Sequence, residues 1–390
     1  MSKKKIAILG STGSIGQTTL QILKFNKKKF DIILLSANSN YLEIKNQIKK
    51  IKPRYFVVND LYVYRKLLKN KKRIKTKILN KFSEVPSKIK FDITISSIVG
   101  IAGLEPTIQF TKKSKKVLIA NKESIICGWH ILKNISKKNK TEMIPIDSEH
   151  FSINQLTKSY KDDDIKKIYI TASGGPFLKI PLKKFKSITA KDASKHPRWK
   201  MGKKISIDSS NLMNKTLELI EAYRLFPFDP KKYDIIIHPQ SLVHAIVFFK
   251  NGQSKFLYHE TDMKIPIANA IYDNKINIEN LFDKGKNNHL VNLKNLKFEK
   301  VNKKRFPIVT LLTEKIYQNS APIILNASNE ILVDRFIRKK IPYNGIYLSL
   351  KRVFKDRDFN KYAVKKTPSI KEIYKIDKWA RNKTLEIING

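Results

Sequence analysis

The sequence predicts an α/β protein, with a parallel, doubly wound sheet first, a separate α+β region second and a small helical region last. Three observations predict it. Short β-branched runs alternate with helical stretches over residues 1–147, the alternation gives way to a looser strand and helix mixture, and past residue 306 helical spacing dominates.

Taken in order, residues 5–9, 31–36, 55–58, 92–98, 117–120 and 143–146 are short, apolar and flanked by polar segments, which is the pattern of buried strands. Between them, 15–24 and 41–51 repeat apolar residues at helical spacing. Strands joined through helices need crossover connections, so they pair in parallel. From Phe151 onward, 167–171, 233–238 and 243–249 read as strands and 213–225 as an amphipathic helix. A Lys- and Asn-rich stretch, 283–305, has weak periodicity and reads as a linker, while 307–350 and 369–388 read as helices. The expected domains are 1–147, 148–282 and 306–390, with the linker between the last two and no internal repeat.

The chain has 390 residues, with 79 Lys and Arg against 33 Asp and Glu, a formal charge of +46. Hydrophobic residues at 41% and aromatics at 10% supply a core, so disorder of the whole chain is excluded. The charge first suggests nucleic acid. Against that, lysines occur in every segment, and Lys outnumbers Arg, the residue suited to bidentate base readout, by about six to one. The expectation is a dispersed basic surface with no nucleic-acid partner. The apolar run 6–9 after the opening lysines is too short for a signal peptide or a membrane span, so a cytoplasmic protein without a membrane partner is expected. Cys127, the single cysteine, has no partner for an internal disulfide or a Cys-based metal site.

The first strand runs into Gly10-Ser11-Thr12-Gly13-Ser14-Ile15-Gly16 and then a helix. Glycines permit a sharp turn and close approach of a pyrophosphate, and the helix N-terminus offers free N–H groups. A tight structural turn is the other reading; the position at the first strand-to-helix crossing favours a Rossmann-like dinucleotide site. The second strand ends in Ser36-Ala37-Asn38-Ser39-Asn40, without the carboxylate that holds the ribose 2′-OH of NAD, so NADP is favoured.

Asp147-Ser148-Glu149-His150 follows the last strand of the first region. On an extended segment Asp147 and Glu149 point to one side, and a third carboxylate would complete a site for a hard divalent cation. Glu218 is the candidate: on a helix, Asn214, Lys215 and Glu218 gather an amide, an ammonium and a carboxylate, with a surface Lys215–Glu218 pair as the other reading. Ala172-Ser173-Gly174-Gly175-Pro176-Phe177 is a turn whose N–H groups suit an oxyanion. His196-Pro197-Arg198-Trp199-Lys200-Met201-Gly202 suits a loop that folds over a ligand, with His196 bonding phosphate and Trp199 covering an apolar surface or anchoring the loop. Ser209, with Asn214 and Lys215, would complete a phosphate site.

These segments, with Ala120-Asn121-Lys122-Glu123, Lys204-Ile205-Ser206, His238-Pro239-Gln240-Ser241 and Asn326-Ala327-Ser328-Asn329-Glu330, occur in order along nearly the whole chain. Together they closely resemble the 1-deoxy-D-xylulose 5-phosphate reductoisomerases of the non-mevalonate isoprenoid pathway. The resemblance implies a homodimeric, NADPH-dependent oxidoreductase that rearranges its sugar phosphate substrate and reduces it to 2-C-methyl-D-erythritol 4-phosphate. It implies an NADPH domain over 1–147 and a catalytic, metal-binding domain over 148–282. NADPH would be held by Thr12, Gly13, Ser14, Ile15, Asn40, Asn121, Glu123 and Gly202, and one Mn2+, Mg2+ or Co2+ by Asp147, Glu149 and Glu218. Substrate would meet Lys122, Ser148, Glu149, Ser173, His196, Ser209, Asn214, Lys215 and Glu218. Catalytic roles would fall to Glu149 for proton movement, to Lys122 and His196, and to Trp199 on a mobile flap. The chain departs from the family at Asn38 and Ser39, where Gly and Lys or Arg are common, and at Thr216, where Gly is.

Overall fold

The computed structural model describes residues 2–69, 75–197, 202–278, 281–282, 296–312 and 320–390. The chain divides into two compact units. The first comprises Met1–Ser124, His130–Phe151 and a segment that starts at Met263; the second takes Ile125–Trp129, Ser152–Asp262 and the C-terminal part.

In the first unit, β1 (Lys4–Leu9), α1 (Ser14–Phe25), β2 (Phe30–Ala37), α2 (Tyr41–Ile51), β3 (Tyr55–Val58), α3 (Leu61–Lys69) and β4 (Lys77–Leu79) wind outward to one edge. The chain then returns to the centre as β5 (Phe91–Ser96), α4 (Leu104–Thr111), β6 (Ser114–Ile119), α5 (Lys122–Asn139, of which Ile125–Trp129 are grouped with the second unit) and β7 (Glu142–Pro145), before α6 (Ser148–Thr157), whose residues from Ser152 are grouped with the second unit. The sheet order is β4-β3-β2-β1-β5-β6-β7, and every pairing is parallel. Both faces are covered, one by a cluster that includes Ile8, Leu35, Phe56 and Ile95, the other by one that includes Leu9, Leu34, Val57 and Phe110. Burial on both faces is why these strands read as unbroken apolar runs rather than as alternation. The direction of winding reverses between β1 and β5, so the loops after those two strands frame a crevice at their carboxyl ends.

The second unit holds β8 (Ile165–Ala172), the single turn α7 (Ala190–Ala193), α8 (Lys203–Ser210), α9 (Met213–Leu225), β9 (Tyr233–Ile237), β10 (Val243–Phe249) and β11 (Ser254–Tyr258). Helix α10 (Lys264–Tyr272) then returns to the first unit, and β12 (Glu299–Lys300) closes the second sheet in the order β11-β10-β8-β9-β12. Strands β8 and β9 pair in parallel and the other pairings are antiparallel. One face of this sheet, with Ile168, Ile170, Val247 and Ile235, shares a core with Leu219 and Ala222 of α9. The C-terminal part is helical as expected: α11 (Ala321–Ile337), α12 (Tyr343–Phe354), α13 (Phe359–Ala363) and α14 (Ile370–Asn389), the last opened by a Ser369–Glu372 capping box.

Two boundaries differ from the sequence reading. Helix α10, expected with the central region, packs in the first unit, where Ile267 and Ile271 are fully buried in the sheet core and Tyr272 meets Phe30 edge-on at 5.4 Å. Two isoleucines buried this way contribute about 1.5–3 kcal/mol each, which no count along the chain can assign to one neighbour. Of the expected linker, residues 283–295 lie outside the described residues. The rest is built in: Glu299 and Lys300 pair with β9, and Arg305 donates to the Phe177 and Ile180 carbonyls at 2.7 and 2.6 Å. A two-residue strand is too short to show a period of two.

Candidate active site

The first unit carries the glycine turn. Gly10 has φ +88°, and a Cβ there would lie 2.8 Å from the Ser97 carbonyl oxygen, so glycine lets the turn lie against the loop after β5. Gly16 is buried, and a Cβ on it would collide with the Gly10 and Ser11 backbone, so the first turn of α1 packs directly on its own entry loop. Gly13 is the N-cap of α1 with no side-chain cap, leaving the first N–H groups of the helix without a capping side chain. Thr12 and Ile15 are half-buried and Gly13 and Ser14 exposed, as a cradle for an anion needs.

A buried polar network below holds the turn. Ser11 Oγ donates to Gln47 Oε1 at 2.6 Å, Gln47 Nε2 donates to the Ser11 carbonyl at 3.0 Å, and the Gly10 and Ser11 N–H groups donate to the Ser36 carbonyl. The sequence reading did not single out Gln47. Gln47 did leave a signal, because it is a polar residue on the buried stripe of α2 beside Ile44 and Ile48. Asn40 caps α2, accepting from the Glu43 N–H at 3.2 Å.

Asn121 caps α5, accepting from the Ser124 N–H at 2.7 Å, while its Nδ2 donates to the Ile98 and Gly100 carbonyls and to Glu123 Oε2 at 2.5, 3.0 and 2.9 Å. Asn121 and Glu123, both buried, therefore shape the loop after β5 that forms one side of the crevice. Next to them, Lys122 Nζ lies 2.5 Å from Asp147 Oδ2.

The Asp147–Glu149 geometry differs from expectation. The segment is not extended: α6 starts at Ser148, so Asp147 precedes the helix, its carbonyl accepting from the Phe151 N–H at 2.8 Å, and Glu149 sits in the first turn. Helix N-termini favour acidic groups through their exposed N–H groups and dipole, which outweighs the extended tendency of the strand before it. Glu149 is buried and accepts from Ser148 Oγ at 2.6 Å.

The second unit carries the residues expected at the substrate phosphate. Gly174 and Gly175 have φ of +79° and +64°, and a Cβ on Gly175 would lie 2.8 Å from Ser210 Cα and 3.0 Å from the Ser209 carbonyl oxygen. This close approach brings the turn after β8 against the end of α8. Ser173 Oγ accepts from the Gly175 N–H at 3.1 Å and lies 3.0 Å from His196 Nε2. Partial burial, with the Lys215 charge adding to it, pushes the His196 imidazole down to about 4. Gly202 is the N-cap of α8. Trp199 lies outside the described residues.

Helix α9 is buried over its first ten residues. On it, Lys215 Nζ lies 2.7 Å from Glu218 Oε2, and Asn214 Nδ2 donates to Glu218 Oε1. At 9% and 1% exposure, Lys215 and Glu218 are not a surface pair. A buried carboxylate of this kind is tolerated because an ammonium and an amide compensate it.

Three models of 1-deoxy-D-xylulose 5-phosphate reductoisomerase domains match residues 6–128, 143–226 and 259–383. The curated reductoisomerase of Pelagibacter ubique is 44% identical over 386 residues, which cover 96% of this chain and 97% of that one. The chain belongs to the 1-deoxy-D-xylulose 5-phosphate reductoisomerase family. The reductoisomerase of a Wolbachia from Culex pipiens is 37% identical, with 99% of this chain and 98% of that one covered. Among solved reductoisomerases, one in complex with NADPH, fosmidomycin and magnesium superposes with a TM-score of 0.91 at 31% identity, covering 99% of this chain and 98% of that one. The Zymomonas mobilis reductoisomerase in complex with NADPH gives 0.89 at 30% identity, with both chains fully covered. The mixed α/β architecture of the reductoisomerases is thus the architecture of this chain.

Proposed function

We infer that this chain converts 1-deoxy-D-xylulose 5-phosphate to 2-C-methyl-D-erythritol 4-phosphate, with NADPH as reductant and one divalent cation, in isoprenoid precursor synthesis. The observation that carries the reading is the buried Asn214–Lys215–Glu218 group in a chain that matches the reductoisomerases along its whole length.

NADPH is assigned with its pyrophosphate over Thr12, Gly13, Ser14 and Ile15, and with Asn40, Asn121, Glu123 and Gly202 completing the site. In support, the N–H groups of the first turn of α1 lack a capping side chain and the glycines leave no Cβ in the way. The substrate phosphate is assigned to Ser173, His196, Ser209, Asn214 and Lys215. Neutral His196 donates through one ring nitrogen and accepts through the other, and Lys215 supplies the full positive charge.

Asp147, Glu149 and Glu218 are the proposed cation ligands, a hard oxygen set of the kind Mg2+ and Mn2+ take, with Co2+ as a substitute. In support, Asp147 and Glu218 each already face an ammonium, Lys122 and Lys215. When bound, the cation supplies Lewis-acid polarisation of substrate oxygens and NADPH supplies hydride. With a cation held by those carboxylates, Lys122 and Lys215 would direct their ammonium groups to the substrate. Ser148 positions a substrate hydroxyl, and Glu149 moves a proton at the carboxylate oxygen that Ser148 Oγ now contacts. Trp199 is assigned to the cover over the site on the family resemblance.

A homodimer is proposed through the second unit. On the sheet face opposite its core, Tyr169 and Phe248 meet at 5.9 Å, and Phe248 and Phe256 are 39% and 49% exposed, an apolar patch suited to a second copy. We place the enzyme in the cytoplasm; no described helix is long and apolar enough to cross a membrane, and the single cysteine is buried and forms no internal disulfide.

The test is loss of NADPH absorbance on mixing with 1-deoxy-D-xylulose 5-phosphate and Mg2+ or Mn2+. Oxidation that needs both substrate and metal is expected. Folded protein that oxidises no NADPH under these conditions overturns the reading.

A further inference from the structure

The phosphate-binding segment of the second unit is fastened from outside itself. Ser209 lies near the end of α8, and its two neighbours in sequence are both tied to helices of the C-terminal part. Asp208, 2% exposed, accepts from Asn329 Nδ2 of α11 at 2.8 Å through one oxygen and pairs with Lys204 Nζ at 2.9 Å through the other. Ser210, fully buried, lies 3.0 Å from Tyr343 Oη of α12. Ser210 Oγ already donates to the Ile207 carbonyl at 2.7 Å, and a hydroxyl has one proton, so Tyr343 is the donor. Burial raises the Tyr343 phenol well above its ordinary value and keeps that proton in place.

Neither side chain is explained by packing alone. The Tyr343 ring is held edge-on by Phe177 at 5.3 Å and Phe185 at 6.0 Å, and a phenylalanine would fill the same space without the hydroxyl. Asn329 is fully buried, and its Oδ1 has no hydrogen-bond partner among the described residues. Burying an amide half-satisfied costs about 1–3 kcal/mol, and the bond its other end makes is the one to Asp208.

The segment they hold needs holding. After Ser210 the chain passes through Leu212 at φ +65°, a left-handed conformation that a γ-branched residue adopts rarely, before α9 presents Asn214 and Lys215. We propose that Asn329 and Tyr343 are positioning residues for the substrate phosphate: by clamping Asp208 and Ser210 on either side of Ser209, they set the Ser209 hydroxyl and the Asn214–Lys215 pair before substrate arrives. This rests on the reading of Ser209, Asn214 and Lys215 as phosphate ligands. A site ordered in advance binds without paying again for the ordering, so loosening it weakens binding more than turnover.

Three variants, Tyr343→Phe, Asn329→Leu and Ser209→Ala, are compared with the parent for kcat, for the Michaelis constants of the sugar phosphate and of NADPH, and for thermal melting. Tyr343→Phe and Asn329→Leu are each expected to raise the sugar phosphate KM about tenfold, with kcat within about threefold and the NADPH KM within about twofold. Tyr343→Phe keeps the ring and its packing, so it decides the matter if Asn329→Leu melts early. If Ser209→Ala raises the sugar phosphate KM and Tyr343→Phe does not, the clamp is wrong and the phosphate site stands. If Ser209→Ala itself leaves that constant unchanged, the phosphate reading falls and the clamp with it.

Discussion

Glu218 shows how one side chain ties two jobs together. It is buried at 1%, bonded to Lys215 and Asn214, and a proposed metal ligand. Glu218→Gln keeps shape and hydrogen bonding but removes the charge, so kcat is expected to fall roughly 10²–10³-fold while NADPH still binds in a fluorescence titration. Loss of NADPH binding instead would remove Glu218 from the metal set. His196 carries a second, pH-dependent signature. Its folded value of about 4 lies below the ordinary 6.5, so between those limits the unfolded chain takes up a proton that the folded chain does not. Its contribution is intact above pH 6.5 and is lost as pH falls toward 4. The melting temperature of the parent should therefore drop further than that of His196→Asn across this window, by about 2–4 °C; parallel curves would show that His196 titrates normally. The Ser and Asn residues of the candidate site stood out in the sequence because they sit in turn-forming clusters of small polar residues. Gln47 and Tyr343 were not, since a lone Gln or Tyr at a buried helical position looks like core until its partner is known.

The N-terminal turn is the element proposed to hold the cofactor. Gly10, Gly13 and Gly16 act together: Gly10 supplies the positive φ, Gly13 the uncapped N-terminus and Gly16 the close approach of helix to turn. Gly16→Ala sends a methyl group into the Gly10 carbonyl, and overpacking of this kind costs about 1–3 kcal/mol. The NADPH Kd is expected to rise at least tenfold, while the KM of the sugar phosphate, whose proposed site includes Ser209 and Lys215 of the second unit, is expected to stay unchanged. An unchanged Kd by calorimetry would refute the cradle. This element was fully legible, because glycine spacing at a strand-to-helix crossing is set by local backbone geometry. The Asp147-Ser148-Glu149 segment was legible in composition and misread in conformation, because the helix dipole at Ser148 acts on a segment that looks strand-like when read residue by residue.

For the whole molecule, the +46 charge and the exposed aromatic patch make separate predictions. Both ligands are anionic, so a basic field should speed their capture, and kcat/KM should fall steeply between low and high ionic strength. A flat profile would leave the charge as a solubility property. If the proposed homodimer forms through Phe248 and Phe256, Phe248→Glu with Phe256→Glu should convert a parent dimer to a monomer by sedimentation; a dimer that survives both charges would place its interface elsewhere.

By itself the sequence determined the parallel sheet and the helical C-terminus and named the residues of the candidate site, because strand and helix periods, turn glycines and clustered polar motifs are local properties. Tertiary structure decided the rest. Helix α10 joins the first unit because Ile267 and Ile271 find their apolar partners there, more than a hundred residues back along the chain. Lys215 and Glu218 are a buried pair rather than a surface one because α9 is enclosed. Asp208 and Ser210 are held by Asn329 and Tyr343, residues whose separation of over a hundred positions is closed only when the helices pack. Hydrogen bonds and burial depend on distances in space, and one-dimensional spacing carries them only within a turn or a strand.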